Sequence, residues 1–231
     1  MRAFLAFLAL LLAAPASAAE PFRDCPDCPE MVALPAGSVR LGDGGAGLLA
    51  ELPAFALGRT EITVAQYGTC VAEGACRPHE TRWPEAAMPM TDVTAKDAED
   101  YAAWLSVRTG RRYRLPGEAE WEYAAKAGTD TPFPWGAAME PDRAICQHCD
   151  PRFDHRPAPV ASTRPNPWGL SDMNGNVWEW TRDCGGVDCN RRVVKGGSWY
   201  FVPWQSRSSS RAPQDARSWS YDIGFRVLRE D

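Results

Sequence analysis

This 231-residue chain predicts an α+β domain with little regular secondary structure, on three observations. Helix signals are confined to about Thr63–Ala127, strand-like segments precede them, and beyond Gly128 the chain runs through turns and short strands. The 19 glycines and 20 prolines punctuate it too often for long helices or a repeat array. Ten tryptophans supply large aromatics able to pin a loop-rich fold. A hydrophobic content of 45% excludes bulk disorder, and the length fits one domain. The 25 basic and 30 acidic residues form no basic stripe, which argues against nucleic acid as a partner.

The first element is an address. In Met1–Ala19, Arg2 precedes an apolar run from Ala3 to Ala14, then Pro15 and the small residues Ala16-Ser17-Ala18. That order reads as a secretory signal with cleavage after Ala18 or Ala19, leaving residues 20–231 as the domain. The run is shorter than the ~20 residues a membrane span needs, and the chain is expected in a periplasm or outside a cell, without a membrane span.

Glu30–Leu41 alternates like a strand, broken at Pro35-Ala36-Gly37. Gly42–Gly47 is a glycine-rich loop and Ala54–Glu61 is strand-like again. Thr63 and Gln66 fit a capping box, flanked by Ile62 and Tyr67 as a hydrophobic staple, so a helix starts near Thr63 and ends at Glu73-Gly74. A second helix is capped by Thr94 with Asp97 three residues later, buries Ala98, Tyr101, Ala102 and Leu105, and stops at Gly110. A third runs from Gly117 to Ala127, with Trp121, Ala124 and Ala125 on one face and Gly128 ending it.

The eight cysteines fall as neighbours: Cys25/Cys28, Cys70/Cys76, Cys146/Cys149 and Cys184/Cys189. Eight cysteines allow 105 connectivities. In an exported chain four local bridges are the simplest choice, each worth about 2 kcal/mol for so short a loop. Two alternatives stay open. Either CxxC, Cys25-Pro-Asp-Cys28 or Cys146-Gln-His-Cys149, has redox spacing, although Pro26 and Pro29 argue against a helix at the first. Around the second, His148, Asp150, Asp154 and His155 offer metal-ligand types.

Five segments together resemble the formylglycine-generating enzyme, or sulfatase-modifying factor, family. They are Gly58-Arg-Thr-Glu-Ile-Thr63, Tyr113-Arg-Leu-Pro-Gly-Glu-Ala-Glu-Trp-Glu-Tyr-Ala124, Trp168-Gly-Leu-Ser-Asp-Met-Asn-Gly-Asn-Val-Trp-Glu-Trp180, Arg192-Val-Val-Lys-Gly-Gly-Ser-Trp199 and Gly224-Phe-Arg-Val227. The Cys-rich entrance Phe22–Met31 looks like the family's exported bacterial branch. The resemblance implies a single domain related to C-type-lectin-like folds.

It also implies sites. Gly175 and Asn176 tolerate left-handed backbone and make a tight turn, with Asp172 and Glu179 on either side. The family's structural calcium matches Asp172 and Glu179 by side chain and Gly175 and Val177 by carbonyl, an oxygen-rich set suited to Ca²⁺. The plainer alternative is a carboxylate that caps the turn without metal. A second family calcium site would fall near Ile145–Asp154, where the CxxC loop departs from the pattern.

Family enzymes hold copper with two cysteine thiolates, three and eight residues after the serine of the Gly-Gly-Ser block. Here that serine is Ser198, and the matching positions are Phe201 and Ser206. Neither supplies the soft sulfur that Cu(I) requires, and no cysteine follows Cys189, so no copper is expected. The three-histidine iron chemistry known on this scaffold is also unsupported, since the chain has only His79, His148 and His155.

Trp178, Trp180 and Trp199 read as core, whereas Trp204 sits where the family binds its peptide substrate. Ser206–Ser210 with Arg207 and Arg211 reads as an anion-binding segment or as a solvated loop. The function expected is therefore an accessory module without copper oxidase activity. It would bind a peptide, glycan or exported protein through Ser198, Trp204, Arg207 and Arg211. The alternative is a periplasmic tailoring oxidoreductase with different chemistry.

Overall fold

The computed structural model describes residues 20–44 and 47–231, so the expected signal segment 1–19 lies outside the described residues. Four short strands come first: β1 (Met31–Leu34), β2 (Gly37–Arg40), β3 (Leu49–Leu52) and β4 (Phe55–Gly58). Helices α1 (Val64–Ala72) and α2 (Ala95–Thr109), strand β5 (Tyr113–Arg114) and helix α3 (Glu118–Lys126) follow. The second half holds β6 (Trp178–Cys184), β7 (Arg191–Lys195), β8 (Arg211–Asp215), β9 (Ile223–Gly224) and β10 (Leu228–Glu230).

The break at Pro35 separates two sheets. β1 pairs antiparallel with β4, whereas β2 turns away to pair with β3. Strand β3 is not expected from the sequence, because its four residues are exposed or half-buried and give no apolar alternation. The main sheet has the order β1-β4-β10-β5, which sets the chain's last strand between segments more than a hundred residues upstream. A second four-stranded sheet, β8-β7-β6-β9, is antiparallel except for the parallel β6–β9 pair.

The helix signals act as read. Thr63 and Gln66 close a capping box on α1, with Ile62 and Tyr67 both buried. Thr94 and Asp97 do the same for α2, and Gly110 ends it in a left-handed conformation (φ 68°). Helix α3 ends one residue before the expected Ala127, which itself takes a left-handed φ of 47° ahead of Gly128. Trp178, Trp180 and Trp199 are buried, as core residues should be.

All eight cysteines are bridged, in the four neighbouring pairs Cys25–Cys28, Cys70–Cys76, Cys146–Cys149 and Cys184–Cys189. Each bridge closes a local loop, so the two sheets are joined by packing rather than by sulfur. No helix among the described residues is long and apolar enough to cross a membrane.

Candidate functional site

The loop after β7 carries the sequence's main candidates. Gly196 and Gly197 both have positive φ (97° and 78°), and the chain could not pass here with side chains present. A Cβ on Gly197 would lie 2.5 Å from the Gln205 carbonyl and 2.7 Å from Ser206 Oγ. The two glycines therefore fold residues 198–206 back on themselves. Ser198 is fully buried and its Oγ donates to Asp222 Oδ2 at 2.9 Å, while Ser220 Oγ donates to the other oxygen of Asp222.

Phe201 turns its ring edge-on to Trp178 at 5.8 Å and to Tyr200 at 5.7 Å. Ser206 is fully buried, its carbonyl accepts from Asn174 Nδ2 at 2.8 Å, and its Oγ has no hydrogen-bond partner among the described residues. A phenyl ring and an enclosed hydroxyl thus stand at the positions matched to thiolates. Neither is a soft ligand.

Distant acids already engage the cations of the Ser206–Arg211 segment. Arg207 and Ser209 both engage Asp43, and the Arg207 guanidinium stacks 4.2 Å above the Trp204 ring. Arg211 forks onto Glu118 at 2.6 and 3.2 Å, and Ser208 and Ser210 are buried. The cations are already neutralised. What faces solvent instead is apolar: Tyr200, Val202 and Trp204 are 55%, 41% and 60% exposed.

At the 172–179 turn, Asp172, Gly175 and Asn176 all have positive φ, and a Cβ on Gly175 would lie 2.3 Å from the Ile145 carbonyl. Glu179 is fully buried. Arg226 grips both its oxygens, Nε to Oε2 at 2.6 Å and Nη2 to Oε1 at 2.7 Å, and Trp121 Nε1 donates to Oε2 at 2.7 Å. Asp172 accepts from Ala161 N at 2.5 Å and from Thr163 Oγ1 at 2.9 Å. The fully buried Glu61 joins them, taking Asn176 Nδ2 on Oε1 at 2.9 Å while its Oε2 has no partner among the described residues. Burial pushes the carboxyl groups of Glu61 and Asp172 above their usual range, most strongly for Glu61.

This arrangement bears on how the turn could hold calcium. The carboxylates of Asp172 and Glu179 are held by separate donors, Ala161 N and Thr163 Oγ1 on the first and Arg226 with Trp121 on the second. The Arg226 guanidinium already supplies the positive charge a metal would bring to Glu179. No three His, Cys, Asp or Glu side chains among the described residues converge on a metal position. The set does not fit calcium in the manner the resemblance implies.

The same holds for the CxxC loop. Asp154 does stand between two histidines, 3.6 Å from His148 Nδ1 and 3.5 Å from His155 Nε2, but both histidines are exposed. Asp150 is buried against Arg152, and both cysteines are in a bridge. The loop is tied to the Ser198 segment by Gln147 N donating to the Phe201 carbonyl at 2.9 Å.

Residues 17–231 match the sulfatase-modifying factor enzyme 1-like domain. The chain belongs to that family. It is 42% identical over 171 residues to the formylglycine-generating enzyme of Streptomyces coelicolor, a match covering 62% of this chain and 52% of that protein. It is 35% identical over 153 residues to the inactive C-alpha-formylglycine-generating enzyme 2 of Bos taurus, covering 60% and 49%. The chain thus spans about half the length of these curated relatives. The structure of PvdO from Pseudomonas aeruginosa superposes with a TM-score of 0.82 at 31% identity, covering 95% of this chain and all of that one. CarF, at 24% identity and a TM-score of 0.71, shares the fold. The fold is formylglycine-generating-enzyme-like, of the C-type-lectin-like kind.

Glu61 and Arg226 lie inside quoted family blocks, yet the sequence assigned neither a role. The readable signal was a charge set in an apolar run: Arg226 between Phe225 and Val227, Glu61 before Ile62.

Proposed function

We propose that this family member is an exported, periplasmic or secreted binding module without copper oxidase activity, which holds a peptide segment of another exported protein. The observation that carries it is the pairing of two facts about one loop. The two thiolate positions are Phe201 and the enclosed Ser206. The same loop presents Tyr200, Val202 and Trp204, alternate residues on an exposed apolar ridge. Losing the metal ligands removes the oxidation, while an exposed aromatic ridge keeps the means to bind. Ser198 supports the loop from below, its hydroxyl committed to Asp222. The four local bridges suit an oxidising compartment. The likeness to a protein described as an inactive formylglycine-generating enzyme supports the reading.

The test is incubation of the purified domain, with copper added, with a sulfatase-type peptide bearing the Cys-x-Pro-x-Arg pattern, followed by mass spectrometry. The cysteine is expected to remain unconverted. Formylglycine formation, or stoichiometric copper or iron in the protein as purified, would overturn the proposal.

A further inference from the structure

Only two of the ten tryptophans are exposed, and they differ in what lies on their rings. Trp204 carries the Arg207 guanidinium over one face of its ring. Trp219, 63% exposed, has neither an aromatic ring nor a cation stacked on it among the described residues. Its segment is nonetheless pinned. Ala216 N donates to Asn190 O at 2.8 Å and Ala95 N to Ala216 O at 3.2 Å. Ser218 N donates to Asp215 O at 3.1 Å and Asp92 N to Ser220 O at 3.0 Å. A large apolar face is thus fixed toward water, with no ring or cation stacked on it among the described residues.

That ring walls a cleft of about 440 Å³ whose other sides are Arg77, Pro78, His79, Glu80 and Asp92. Arg77 also borders a second cleft of about 410 Å³, where it faces Lys96, Asp97, Asp100 and Arg217. These walls hold both donors, on Arg77, Lys96 and Arg217, and acceptors, on Glu80, Asp92 and Asp100. Arg77 Nη2 and His79 Nε2 both sit 3.2 Å from Asp97 Oδ2, which fixes the wall while leaving further N–H groups of Arg77 available. Glu80 makes no ion pair among the described residues. Acids and bases nearly cancel across the two clefts, so neither a strong anion nor a strong cation is favoured.

A ligand matching these walls needs a flat C–H face for the indole, hydroxyls that both donate and accept, no net charge, and length enough for two adjoining clefts. We propose that the Trp219 cleft is a subsite for a neutral oligosaccharide, stacked on the indole and hydrogen-bonded by Arg77 and Glu80. This site stands on the cleft alone and does not depend on the Ser198 loop.

The experiment is calorimetric titration of the signal-free chain with chitotriose, cellotriose and maltotriose, with indole N–H shifts followed by NMR. Saturable binding of at least one is expected, with the Trp219 indole signal moving. Trp219→Ala should weaken it at least tenfold, Trp219→Phe only a few-fold, and Trp204→Ala not at all. No saturable binding of any of the three would overturn the proposal. So would unchanged affinity in Trp219→Ala, or equal loss in Trp204→Ala. Because the peptide reading rests on Trp204, the two can fail separately.

Discussion

Two buried ionic clusters in this domain solve the same problem differently. On helix α3, Glu122 is held on one oxygen by Lys195 Nζ at 2.8 Å and on the other by Lys126 Nζ at 3.0 Å and Gly42 N at 2.7 Å. Lys126 spends its remaining donors on the carbonyls of Arg40 and Gly42, and Lys195 bonds Ser209 O. Every charge there has a short-range partner, and the cluster ties two loops and the ends of β2 and β7 to one helix. In the other cluster Arg226 serves Glu179, Asp172 leans on neutral donors, and one oxygen of Glu61 has no partner among the described residues. Three carboxyl groups share one guanidinium. The first cluster is closed, and the second carries a surplus of acid inside the protein.

Removing the unique cation should therefore do the most damage. Arg226→Met leaves Glu179 buried without a counter-charge and frees the carbonyls of Gly58 and Ser171, and should cost about 3–5 kcal/mol in urea denaturation. Lys195→Met leaves Glu122 still bonded to Lys126 and Gly42, so it should cost about 2 kcal/mol. Equal losses would break the comparison, because the closed cluster would then depend on each member as heavily as the open one does.

The surplus acid gives a pH signature of definite sign. Burial raises the folded-state carboxyl of Glu61 above its unfolded value of 4.5. The folded chain then holds a proton that the unfolded chain releases first. The stabilisation from that proton is complete below the unfolded value and is lost as pH rises through the folded one. Glu61→Gln keeps the oxygen that Asn176 bonds and cannot ionise. It should be more stable than the parent at pH 7–8, with the two converging below pH 4.5. A parent that stays more stable at pH 8 would show that the ionised form is satisfied after all.

These clusters mark how far the sequence could be read. Local chemistry was legible: Thr63 with Gln66, Thr94 with Asp97 and Gly110 announced helix ends, because capping acts over three residues. The family blocks located Ser198, Phe201 and Ser206. Strand β3 and the central place of β10 were not legible, since pairing partners are chosen by the whole fold. The site failed to read for the same reason. Arg207 and Arg211 form a basic segment in sequence, and only folding brings Asp43 and Glu118 to cancel them. Glu179 resembles a metal ligand until Arg226, 47 positions later, reaches it from the segment between β9 and β10.

The smallest expected effect is the response to calcium. With Arg226 on both oxygens of Glu179, added Ca²⁺ should shift the melting temperature by less than about 1 °C relative to chelator, because a ligand stabilises only through preferential binding to the folded state. Differential scanning fluorimetry with millimolar CaCl₂ or EGTA measures it directly. Glu179→Gln then separates the two accounts, since it should destabilise equally in both buffers by loosening Arg226. A rise of several degrees in calcium, abolished by Glu61→Gln, would instead mean that a divalent ion takes the unpartnered oxygen of Glu61. The surplus acid would then be a binding site, and the open cluster would be closed by a ligand from outside the chain.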